Sequence, residues 1–77
     1  NSECKFGELF SKLLMHESNE IVIKTAKAIA EIAKTQSGRL KCTNCDLITA
    51  LMQLMEKSDV EILTQASRAL GNICYEN

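Results

Sequence analysis

Between residues 59 and 75 the chain reads DVEILTQASRALGNICY, with apolar or small side chains at Ile62, Leu63, Ala66, Ala69, Leu70, Ile73 and Cys74. Spacings of three and four predict one amphipathic helix with a single buried stripe. Ser58 and Glu61 stand three apart just ahead of the run, the arrangement of a capping box over the free N–H groups of a first turn. Gln65, Arg68, Asn72 and Tyr75 recur at the same helical spacing on the opposite face and form a second stripe, directed away from the core.

The pattern occurs earlier in the chain at an offset of 41 residues (Ala28 to Ala69). At that offset Glu20 matches Glu61, Ile21 matches Ile62, Ile29 matches Leu70 and Ile32 matches Ile73. Phe10, Leu13 and Leu14 match Leu51, Leu54 and Met55, and Cys4 matches Cys45. The same spacing rule predicts the elements in order. Residues 1–6 form the frayed tail of a helix, and residues 7–16 a helix with Phe10, Leu13 and Leu14 inward. After a turn and cap at Ser18 and Asn19, a long helix spans Glu20 to Thr35 with Val22, Ile29, Ile32 and Ala33 inward. Gln36, Ser37 and Gly38 break it. Gly38 is the expected left-handed helix ending, with Ser37 as an alternative cap for the next helix. Residues 39–45 make a short helix and Asp46 a bend. Residues 47–57 make a helix with Ile48, Leu51, Leu54 and Met55 inward, and Ser58 and Asp59 turn the chain into the last helix.

A helical period near 40 residues is the mark of an armadillo or HEAT solenoid, whereas a compact bundle has no reason to repeat at a fixed offset. The expected fold is all-α: an α-solenoid fragment of about two repeats, with residues 1–38 a partial first repeat and 39–77 a second. The chain is expected to be cut from something longer, because it opens inside a repeat and closes at a helix end. Its open ends predict marginal stability or self-association.

Composition changes this picture little. Seventy-seven residues make at most one small domain, and proline is absent. A net charge of −1 gives no case for nucleic-acid binding. No apolar run approaches a membrane span, and the start lacks a signal-peptide layout. Cys42 and Cys45 have the spacing of zinc and redox sites. However, Cys4 and Cys45 occupy matched repeat positions and Cys74 matches Ala33, so each is expected to pack as a small apolar residue. His16 is the one histidine and falls at a helix end, which leaves a zinc site short of ligands. No metal or cofactor is expected. Thiols without a disulfide framework point to a reducing interior, cytoplasmic or nuclear. A phosphate-binding loop and a Ser/His/Asp set are both missing, so a binding module is expected in preference to an enzyme.

The run LITALMQLMEKSDVEILTQASRALGNIC resembles the armadillo repeat. The matching residues are Ile48, Leu51, Leu54, Met55, Ser58 or Asp59, Glu61, Ile62, Ala66, Ala69, Leu70, Asn72 and Ile73. Asp46 stands where that family usually has glycine, and Thr49–Ala50 where it often has proline. The strings IAEIAK, GRLKC and RALGNICYEN are further similar to the small G protein GDP dissociation stimulator (SmgGDS) family. That resemblance implies a segment of a cytosolic solenoid that binds Rho- and Ras-family GTPases, promotes nucleotide exchange, or chaperones lipid-modified GTPases. Exchange by this route needs no catalytic side chain, because tighter binding of the nucleotide-free GTPase suffices. The alternative is an armadillo adaptor that binds an extended peptide.

By that resemblance the long helices line a concave groove. Its expected partner-binding residues are Lys24, Lys27, Glu31 and Lys34 from the first repeat and Gln65, Arg68, Asn72 and Tyr75 from the second. In peptide-binding relatives such as importin-alpha and beta-catenin the asparagine matching Asn72 bonds a peptide main chain. Relatives of the importin type carry tryptophan where Arg68 stands, and the first repeat has Lys27 and Glu31 in place of the pair. The lysines would repel a basic peptide, so the groove favours an acidic or mixed protein surface. Plainer readings stand beside these. Lys27 and Glu31 are spaced for an i, i+4 pair on a solvated face. Asn72 suits a local hydrogen bond that fixes helix packing, and Tyr75 a simple helix end. Glu17, Glu20, Glu56, Asp59 and Glu61 read as charge at helix starts.

Overall fold

Ser18 and Asp59, 41 residues apart, open the two long helices in the same way. The Ser18 hydroxyl accepts the Ile21 N–H at 3.4 Å and starts α2 (Asn19–Ile32). The Asp59 carboxylate accepts the Ile62 N–H at 3.0 Å and starts α5 (Val60–Ile73). The expected Ser58–Glu61 box is therefore displaced by one residue. A carboxylate at the cap both accepts the hydrogen bond and faces the positive end of the helix dipole. The computed structural model describes residues 5–75, and within them the remaining elements are α1 (Lys5–Leu14), α3 (Gln36–Asn44) and α4 (Leu47–Leu54). No strand occurs among the described residues. Cys4, and most of the tail expected over residues 1–6, lie outside them. Lys5 and Phe6 already belong to α1.

The break after α2 works differently from the expectation. Gly38 is the third residue of α3 and its φ is not positive. Thr35 is the cap, its hydroxyl accepting the Gly38 N–H at 3.0 Å. Glycine is required there by proximity: a Cβ at Gly38 would lie 1.8 Å from the Ile32 carbonyl oxygen. The left-handed turn falls at Asp46, with φ 56° and ψ 45°, and Thr49 Oγ1 donates to the Asp46 carboxylate at 2.9 Å. Aspartate is among the few side chains that tolerate this region.

The core is a seam between α2 and α5, flanked by α1 and α4. Val22, Ala26, Ile29 and Ala30 meet Ile62, Ala66, Ala69 and Ile73, all within 3% of complete burial. Small alanines let the two helix backbones approach, and the β-branched residues fill the space between them. The helices run parallel, because contacts join both pairs of ends. Asn19 Nδ2 lies 3.5 Å from Asp59 Oδ2 at the start, and Asn72 Nδ2 lies 2.9 Å from the Ala30 carbonyl near the finish.

Several inward expectations need correction. Met55 is 38% exposed, while Leu47 and Ala50 are the buried residues of α4 beside Leu51 and Leu54. Of the α1 set, Leu14 is buried and Phe10 and Leu13 are half-buried. Of the cysteines read as small packing residues, Cys45 is half-buried and Cys74 is exposed, so that reading fails for Cys74; Cys42 is the buried thiol among the described residues.

Candidate functional site on the paired long helices

The second stripe of α5 and its counterpart on α2 come together as one polar face, joined by side chains that cross between the helices. Arg68 donates from Nη2 to Glu31 Oε2 at 2.8 Å, and Lys34 reaches the same oxygen at 3.1 Å. The expected Lys27–Glu31 pair does not form, because Glu31 turns toward Arg68 and Lys34. The Arg68 hydrogen bond, then that of Lys34, holds the Glu31 carboxyl below its ordinary value of 4.5. Lys24 pairs with Glu20 at 3.7 Å, with both side chains well exposed. Exposed pairs of this kind contribute little to stability.

Asn72 has a structural task. Lys34 N–H turns back to the Glu31 carbonyl at 3.2 Å, which leaves the Ala30 carbonyl without its usual helical donor. Asn72 Nδ2 fills that vacancy from the neighbouring helix. One amide N–H is thus engaged in packing. Arg39 completes the end of α2: its Nη1 donates to the Ala33 and Lys34 carbonyls at 3.2 and 3.3 Å, and its guanidinium lies 5.5 Å from the centre of the Tyr75 ring. Tyr75 is nevertheless 60% exposed and available at the surface. Arg39 and Asp59 were not among the expected face residues. The signal for Arg39 was a basic residue just past a helix end, where it can reach the last carbonyls.

Gln65 is half-buried, and its Oε1 is enclosed without a hydrogen-bond partner among the described residues. Lys27 projects freely into solvent. The accessible chemistry of the face is therefore Lys24, Lys27, Lys34 and Tyr75, with Arg68 and Glu31 holding each other between them. Beside it, an open groove of about 550 Å³ is lined by Phe6, Ile32, Gly38 and Lys41, with the Lys41 ammonium 5.0 Å above the Phe6 ring. No cluster of three or more His, Cys, Asp or Glu side chains among the described residues is placed to hold a metal ion. No helix there is long and apolar enough to cross a membrane.

The armadillo/beta-catenin-like repeat matches residues 36–75, the span of α3, α4 and α5. The chain belongs to the armadillo repeat family. This accounts for the helical trio and for the long third helix that carries the polar stripe. The chain is also 46% identical, over 91% of its length, to "Rap1 GTPase-GDP dissociation stimulator 1-B" of Xenopus laevis. It is 44% identical over the same share to "Rap1 GTPase-GDP dissociation stimulator 1-A" of that organism. Over 95% of its length it is 33% identical to "GTPase-GDP dissociation stimulator vimar" of Drosophila melanogaster. The chain covers 11%, 11% and 12% of those proteins respectively, so this armadillo segment spans about a tenth of the curated relatives it matches. No solved structure matches the chain.

Proposed function

We propose that this armadillo segment belongs to a non-catalytic regulator that binds small GTPases of the Rho and Ras families, lipid-modified forms included, and promotes exchange of their GDP. The observation that carries the reading is the 46% identity across 91% of the chain to a protein named as a GTPase-GDP dissociation stimulator. The polar face supports it. Lys24, Lys27, Lys34 and Tyr75 offer exposed cations and one aromatic ring, chemistry suited to an acidic or mixed protein surface. Glu31, Gln65, Arg68 and Asn72 are read as the frame beneath them. The division into a partial repeat over 1–38 and a second over 39–77 belongs to the same reading, as does a cytoplasmic or nuclear location.

The peptide-adaptor alternative is less favoured at Asn72, one of whose amide N–H groups is engaged by the Ala30 carbonyl. Exchange by a shaped surface rests on differential affinity: the partner must bind the nucleotide-free GTPase more tightly than the GDP-loaded one. The test is equilibrium binding of the whole protein to Rap1 and to Rho and Ras GTPases, each prepared both ways. At least a tenfold preference for the nucleotide-free form of one of them is expected. Equal affinity for both forms of every GTPase would remove the exchange reading.

A further inference from the structure

We propose that Ser58 is a phosphorylation site for an acid-directed serine/threonine kinase. The inference rests on the link between α4 and α5 and does not depend on what the polar face binds.

The sequence pattern put Ser58 at the start of α5 as its cap, but Asp59 takes that place and its carboxylate accepts the Ile62 N–H. The Ser58 side chain is thereby released. It is exposed in the irregular link between Leu54 and Val60. Neither its hydroxyl nor its backbone N–H has a hydrogen-bond partner among the described residues. The other hydroxyls differ. Thr25, Thr43 and Thr64 donate theirs to helix carbonyls, Thr49 to Asp46, and Ser67 to the Met55 sulfur. Ser18 and Thr35 cap helices, and the Ser37 hydroxyl lies 3.5 Å from that of Thr35. Ser11 is the remaining hydroxyl among the described residues, and it is half-buried inside α1. A kinase must seat the accepting hydroxyl against its own catalytic base, so a free hydroxyl on an exposed link is the one it can reach.

The charges around Ser58 name the class of kinase. Asp59 stands one residue after it and Glu61 three after, with Glu56 two before. No other Ser or Thr of the chain has carboxylates both one and three residues after it. Thr43 has Asp46 three after, but its hydroxyl is held by the Arg39 carbonyl within α3. Lys57 is the one cation close before Ser58, too little for a kinase that reads basic residues. Asp59 has extended backbone, φ −74° and ψ 123°, and Glu61 is exposed in the first turn of α5. A basic kinase cleft can therefore read Asp59 in place, and Glu61 after opening no more than that turn, since helix ends open at low cost.

The fold already holds a negative charge at the equivalent position. At the 41-residue offset Ser58 matches Glu17, which directly precedes Ser18, the cap of α2. A phosphate on Ser58 would bring roughly 1.5–2 negative charges to the same place before α5, beside the positive end of the helix dipole. The step is a phosphoryl transfer from magnesium-bound ATP. The Ser58 Oγ–phosphorus bond forms as the bond from the γ-phosphorus to the bridging oxygen breaks. ADP leaves, and the hydroxyl proton passes to the aspartate base of the kinase.

The test is phosphorylation of the 77-residue chain by casein kinase 2, an acid-directed kinase, with magnesium and ATP. Tandem mass spectrometry locates the phosphate, and circular dichroism follows helix content. One phosphoryl group on Ser58 is expected, and none in Ser58→Ala. Asp59→Asn removes a charge and keeps a good cap, and Glu61→Gln removes the other charge. Each should slow labelling about tenfold, the scale of one charge-assisted contact. Thr43→Ala should leave the rate unchanged. No phosphate on Ser58, or phosphate on Thr43 or Ser11 in its place, would overturn the site. Labelling of Glu61→Gln as fast as the unchanged chain would overturn the acid-directed class. Labelling of Ser58 that begins only once the helices are lost would overturn the argument from exposure.

Discussion

Replacing Asn72 by alanine removes the side chain that crosses from α5 to the Ala30 carbonyl at 2.9 Å. Two effects add. One hydrogen bond is lost, and a carbonyl on a residue that is 0% exposed is left without its donor. A stranded buried acceptor costs about 1–3 kcal/mol, against about 1 kcal/mol for an ordinary exchange of hydrogen bonds with water. For a domain of this size a loss of 1–3 kcal/mol lowers Tm by roughly 5–20 °C. Asn72→Asp separates the hydrogen bond from the packing, because it keeps the shape and turns the donor into an acceptor. Its loss above pH 6 should equal or exceed that of Asn72→Ala. Thermal melts by circular dichroism, at matched concentrations, read both. If Asn72→Asp is as stable as the unchanged chain, the contact does not join α2 to α5 and the assignment of Asn72 to packing fails.

Two of the three helical glycines, Gly38 and Gly71, should respond in opposite directions. Gly38→Ala drives a methyl into the Ile32 carbonyl and should cost about 3 kcal/mol, whereas Gly71→Ala meets open space and should gain about 0.5–1 kcal/mol; urea midpoints compare them, and a stable Gly38→Ala chain would refute the close approach. The Glu31 carboxyl is held below 4.5 by Arg68 and Lys34, so its stabilising contribution is present above pH 4.5 and is lost as pH falls through its lower folded value. Carbon-13 NMR should therefore find its midpoint below 4.5 and rising in Arg68→Ala, and a midpoint that does not move would show the pair to be absent. Burial, and then the neighbouring Cys45, raise the Cys42 thiol above its usual value of 9.0. Iodoacetamide at pH 8 should label exposed Cys74 well before Cys42, and equal rates would contradict the packing of α3.

Four of the five helices were legible in the spacing of apolar residues, because a stripe at three and four residues has few other meanings; α3 carries no such stripe, and its first three residues, Gln36, Ser37 and Gly38, read as a break. Their ends were less so. Ser58 and Asp59 are adjacent and both chemically able to cap, and only the path of the backbone selects Asp59. Gly38 stands where either a left-handed ending or a close approach would need glycine, and the two look alike in a string of letters. The polar face shows a subtler limit. The 41-residue offset pairs Lys27 with Arg68 and Glu31 with Asn72, which is equivalence and not contact. The real contacts run diagonally, Glu31 to Arg68 and Ala30 to Asn72, because stacked helices meet through opposite sides. A diagonal of this kind also gives the Asn72 amide its packing contact, the plainer of the two readings that the sequence offered for it. Met55 and Cys74 read as buried for the related reason that their equivalents are covered by a neighbouring helix pair.

The central claim, regulation of a small GTPase through this segment, is tested most directly by release of fluorescent GDP from Rap1 and from Rho and Ras GTPases in the presence of the whole protein. Lys27→Glu combined with Tyr75→Ala is the variant to compare, since both side chains are exposed and Tyr75 meets the Arg39 guanidinium only at the surface. Faster release from at least one GTPase is expected with the unchanged protein, and a several-fold smaller acceleration with the variant at unchanged helix content. Release that the whole protein does not accelerate from any of these GTPases would contradict it.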